Sequence, residues 1–89
     1  MTLRIYADFN STDGPVCWCL RYGVTLEQVG RPLDEVAEDL QLRAGMPVTL
    51  FYADESEEFE VCAVLELHND TLTRWQARAD WKTFKRIRG

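Results

Sequence analysis

The chain has 89 residues, 46% of them hydrophobic, and a formal net charge of −5. That length makes one domain with a modest core, and the hydrophobic fraction argues against a disordered chain. No apolar run approaches the ~20 residues of a membrane-spanning helix. Net acidity argues against nonspecific binding of nucleic acid by the surface as a whole.

The elements follow in chain order. Residues 3–9 alternate, with Leu3, Ile5, Ala7 and Phe9 on one face and Arg4, Tyr6 and Asp8 on the other, so a strand is expected. Asn10 to Pro15 is a cluster of turn residues. A second strand is expected over 16–22. It would turn Val16, Trp18, Leu20 and Tyr22 to one face and Cys17, Cys19 and Arg21 to the other, and form a hairpin with the first. Gly23 to Gly30 is ambiguous. About residues 32–41, Leu33, Val36, Ala37 and Leu40 make one helical stripe. Pro32 precedes it, Asp34 and Glu35 favour its positive end, and Gly45 and Pro47 prevent continuation.

Val48 to Ala53 reads as an apolar strand and Asp54 to Glu58 as a charged turn. Phe59 to Leu67 is the next strand, with Phe59, Val61, Ala63, Leu65 and Leu67 on one face. Its other face carries Glu60, Cys62, Val64 and Glu66. His68 to Thr71 is a turn. Trp75, Ala77, Ala79 and Trp81 then alternate with Arg74, Gln76, Arg78, Asp80 and Lys82. A helix over 72–87 would separate Trp81 and Phe84 from the stripe of Leu72, Trp75 and Ala79. A strand is therefore expected, with Trp75 and Trp81 filling the core. Phe84 and Ile87 would pack in a final short turn or strand.

Five to six short strands with one short helix predict a mainly β fold, a small antiparallel barrel or rolled sheet. The run Leu42-Arg43-Ala44-Gly45-Met46-Pro47-Val48-Thr49-Leu50, followed by a hairpin, is similar to the way many SH3-like barrels enter a central strand. That resemblance covers about half the chain. It implies a fold class and, because such barrels host many activities, no function.

Candidate chemistry is sparse. Cys17, Cys19, Cys62 and His68 contain no CxxC pair, so a zinc site is not expected and small buried thiols are. His68 has a neighbouring Asp70 but no nucleophile motif. Asp54 to Glu60 lacks the spacing of a calcium loop. No P-loop or GxGxxG is present. No catalytic residue, metal or cofactor is expected. No apolar stretch follows Met1, so the expected compartment is the cytoplasm, with reduced cysteines.

The charge is lopsided. Residues 74–89 hold six cations and one anion, whereas residues 1–73 hold four cations and fourteen anions. The basic end either pairs with the acidic body or meets a partner. The contact residues expected are Arg74, Arg78, Lys82, Lys85 and Arg86. A non-catalytic protein-interaction module is the first expectation, its partner another protein or a second copy. A nucleic-acid or ribosome-associated domain using residues 74–89 is the alternative.

Overall fold

A computed structural model describes residues 2–9, 12–23, 30–69 and 73–89. The protein is mainly β, a strongly curled sheet forming a half-barrel with one α-helix, as expected for a small SH3-like barrel or rolled sheet. The strands are β1 (Leu3–Ala7), β2 (Thr12–Asp13), β3 (Val16–Cys17), β4 (Leu20–Tyr22), β5 (Arg31–Pro32), β6 (Pro47–Ala53), β7 (Glu58–Leu67), β8 (Trp75–Ala79) and β9 (Lys85–Arg88). Helix α1 spans Leu33–Leu40, and a short 3₁₀ turn spans Trp81–Thr83.

Strand β7 is the spine. Its residues 58–64 pair antiparallel with the whole of β6, from Pro47↔Val64 to Ala53↔Glu58. Its other edge is shared, with residues 63–67 pairing with β8 and residues 58–60 with β9. Strand β6 also pairs with β1, in parallel, with Leu3 opposite Val48 and Ile5 opposite Leu50. Residues 16–22 close the curl. Their first part, β3, pairs with β8, and their last part, β4, pairs with β1. One short stretch thus joins both sides of the sheet.

This double allegiance overturns the expected facing of residues 16–22. The chain leaves strand geometry at Trp18 and Cys19 as it changes neighbours. Both Cys17 and Leu20 are buried, although three residues apart, a spacing that would put them on opposite faces of one continuous strand. Trp18, expected on the same face as Leu20, is 43% exposed whereas Leu20 is buried. The turn before β3 uses Gly14 (φ 61°), where positive φ suits glycine. The reading of residues 24–29 and that of the turn at 70–71 lie outside the described residues, as do Asn10 and Ser11.

The core consists of Ile5, Leu20, Val48, Leu50, Val61, Leu65 and Trp75, with small residues between them. Each large aliphatic side chain there contributes about 1.5–3 kcal/mol on burial. Helix α1 covers one side with Leu33 and Val36, while Ala37 and Leu40 pack at its margin. Its amphipathic stripe alone would not hold eight residues helical in water. A tether helps fix it: the Asp34 carboxylate accepts the backbone N–H of Arg74 and of Trp75, each at 2.9 Å. The helix ends at Leu40 because Gln41 turns left-handed (φ 54°), ahead of the expected Gly45 and Pro47.

The strand expected through Trp81 stops at Ala79. Asp80 caps the 3₁₀ turn, its side chain accepting the Lys82 N–H at 3.2 Å. Cys62 of β7 faces this interruption. The Asp80 N–H donates to the Cys62 carbonyl at 2.9 Å, and the Cys62 N–H donates to Thr83 Oγ1 at 2.8 Å. The Thr83 hydroxyl in turn donates to the Asp80 carbonyl at 2.7 Å. The turn therefore replaces ladder bonds with a side-chain bridge and resets the alternation. Trp75 remains buried at 7% exposure, but Trp81 is 42% exposed, so Trp81 does not fill the barrel.

Candidate functional site

The segment after Ala79 lies entirely at the surface. Every residue from Asp80 to Gly89 is exposed, including Trp81, Phe84 and Ile87. Strand β9 docks on the acidic hairpin between β6 and β7, with Arg86 opposite Phe59 and Lys85 opposite Glu60. The Arg88 guanidinium donates to the carbonyls of Asp54 (2.6 Å) and Glu55 (2.9 Å). Gly89 lies so close that an added Cβ would sit 2.7 Å from Glu57 Cβ.

The hairpin is itself well ordered by Asp54. Its Oδ1 accepts the backbone N–H groups of Ser56 and Glu57, both at 2.8 Å, and Oδ2 accepts the Tyr52 hydroxyl at 3.0 Å. The Glu57 and Ser56 N–H groups and the Tyr52 hydroxyl favour the carboxylate and lower its pKa to about 2. The same bond raises the Tyr52 pKa, because the phenol donates to an anion.

A chain of aromatic rings leads to the exposed segment. Phe59 is its hub, with ring centroids 5.4 Å from Tyr52, 5.0 Å from Phe9 and 5.2 Å from Phe84. Phe9 also meets Trp81 at 5.5 Å. Tyr6 extends the chain through Tyr52 and Phe51, each at 5.7 Å. Such pairs add roughly 0.5–1.5 kcal/mol beyond area burial. The rings give Trp81 and Phe84 a firm footing while leaving their outer faces in water.

The five cations expected at a contact site differ in their surroundings. Arg74 precedes β8, beside α1, and lines a cleft of ≈ 230 Å³ with Glu38, Leu42 and Leu67. Arg78 is on the outer face of β8, where Nε meets Glu66 Oε2 at 2.7 Å. His68 meets the other oxygen of Glu66 at 3.1 Å. The Arg78 and His68 hydrogen bonds hold the Glu66 carboxyl below its usual range. Lys82, Lys85 and Arg86 lie beyond Ala79, and among the described residues none of them has an ion pair. Lys85 is opposite Glu60, but Glu60 is engaged by Arg4 at 3.5 Å, and Arg4 also lies 4.5 Å over the Phe51 ring.

The apolar members of this strip, Trp81, Phe84 and Ile87, escaped the alternation pattern. Asp80 was the available signal, since an Asp can cap a helical turn and end a strand.

The thiols are dispersed. Cys17 is buried, and desolvation raises its pKa to about 11. Cys19 is half-buried and Cys62 is exposed, so burial of all three is corrected for Cys62: the outer face of β7 is uncovered there. Among the described residues no three His, Cys, Asp or Glu side chains gather as a metal site. A second cleft of ≈ 280 Å³ lies between Trp18, Leu33 and Thr73. No helix among the described residues is long and apolar enough to cross a membrane. No family model, curated protein or solved structure matches this chain.

Proposed function

We propose that the protein is a non-catalytic protein-interaction module, acting in the cytoplasm, whose contact surface is the turn and strand after Ala79. One observation carries this reading: Trp81, Phe84 and Ile87 stand exposed among Lys82, Lys85 and Arg86, cations without an ion pair among the described residues. Tryptophan and arginine are favoured interface anchors. Arg78, held by Glu66, and Arg74, at the far end of β8, fall outside the surface.

Association with nucleic acid is the second reading. Exposed rings beside cations suit base stacking and phosphate contact. The net charge of −5 and the short length of the basic strip weigh against it, because a nucleic-acid backbone extends past these few cations onto an acidic body. Matched capture from a lysate of the protein's own cells tests the reading, using the full chain and its Trp81→Ser/Phe84→Ser variant as baits. Proteins held by the first and released by the second, with or without ribonuclease, are expected. Identical retention by both baits, or retention only of RNA, would contradict it.

A further inference from the structure

Resting on that reading, we propose that the open edge of β9 accepts an extended acidic segment of a partner protein as an added strand. Among the described residues β9 is paired on one side only, with β7. An edge strand offers unpaired N–H and C=O groups that another strand can complete. Lys85 to Arg88 present four exposed residues for this purpose.

The chemistry of the partner is legible from what β9 already holds. On its paired side the neighbour is Glu58-Phe59-Glu60, an acid on either side of a ring. The Phe59 ring meets Phe84, while the glutamates lie opposite Arg88 and Lys85. The strand keeps positive charge to offer, because Lys85 and Arg86 have no ion pair among the described residues and Arg88 meets carbonyl oxygens. A second copy of β9 would set cations against cations, which is unfavourable for directly opposed residues. The other edges offer less. Strand β5 is Arg31-Pro32, whose proline lacks an N–H, and β2 has two residues. The occupant that fits is therefore a foreign strand of alternating acidic and apolar residues.

Cations on an edge can also serve only as a guard against self-pairing. The two roles separate in a titration of the ¹⁵N-labelled full chain. The probe is a peptide of the Glu55-to-Val61 sequence, Glu-Ser-Glu-Glu-Phe-Glu-Val. Amide shifts confined to residues 84–88, saturating and weakening as salt is raised, are expected. A peptide with lysine in place of each glutamate should bind at least about tenfold more weakly. The Lys85→Glu/Arg86→Glu variant should reverse that preference. No shift at millimolar peptide, shifts at the α1 clefts, or equal binding of both peptides would overturn strand addition. The two peptides act on the unaltered protein, so the outcome does not depend on the variant folding. Failure here with Trp81- and Phe84-dependent capture intact would remove strand addition alone; loss of that dependence would remove the broader reading.

Discussion

Trp75 and Trp81 begin from the same position in the pattern, six residues apart on what reads as one strand. Trp75 ends in the core, and Trp81 ends with nearly half its surface in water. The difference lies in what β7 offers each segment. Opposite Trp75 to Ala79 it supplies five consecutive register partners, so even and odd side chains stay on fixed faces. At Cys62 the ladder is replaced by Asp80 and Thr83, three residues coil into a turn, and the chain resumes as β9 with a shifted phase. Burial follows pairing, and pairing is a property of the neighbour as much as of the segment.

The sharpest way to break this contrast is to truncate both rings. Trp75→Ala should lower the unfolding free energy by about 3–5 kcal/mol, as for a buried aromatic. Trp81→Ala should cost only about 0.5–1.5 kcal/mol, the scale of its ring contact with Phe9. Equal losses in urea denaturation would place the two rings in one core. Next, Asp34→Ala should cost about 1–3 kcal/mol, because it strips two backbone donors of a charged acceptor and frees α1 from β8. A fall of hydrogen-exchange protection in α1 would accompany it.

Thr83→Val should cost about 0.5–1.5 kcal/mol by removing the hydroxyl that bridges Cys62 and Asp80. It should loosen β9 while leaving β8 protected from exchange. Asp54 supplies a pH test. Its folded pKa of about 2 lies below the ordinary 3.8, so its stabilisation is complete above the unfolded value and is lost as pH falls toward 2. Asp54→Ala should be less stable at neutral pH and should lose less on acidification from pH 4 to 2. The smallest effect is a gain: Gln41→Gly should add up to about 1 kcal/mol by placing glycine at the left-handed helix end.

Much of the fold was legible in the residues. The helix expected at 32–41 is Leu33–Leu40, and the strands of β1, β6 and β7 follow the apolar alternation within two residues at each end. These segments each have one buried face and continuous neighbours. What was not legible was long-range. The parallel pairing of β1 with β6 joins segments some forty residues apart. The division of 16–22 between two neighbours leaves no local mark except the loss of phase that expels Trp18. The site was partly legible for the same reason. Charge singled out residues 74–89, but which cations remain available depends on Glu66 being engaged by Arg78 and Glu60 by Arg4. The ring chain from Phe59 to Trp81 is assembled from Phe9 just after β1, from β7 and from the 3₁₀ turn, and no spacing within one segment encodes it.

The outward turn of the chain after Ala79 underlies the proposed surface, and iodide quenching of single-tryptophan proteins measures it directly. One protein retains Trp81, another Trp75, with phenylalanine at the remaining tryptophan positions. Trp81 emission should be quenched several-fold more strongly than that of Trp75; a Trp81 as shielded as Trp75 would return the ring to the core and remove the surface.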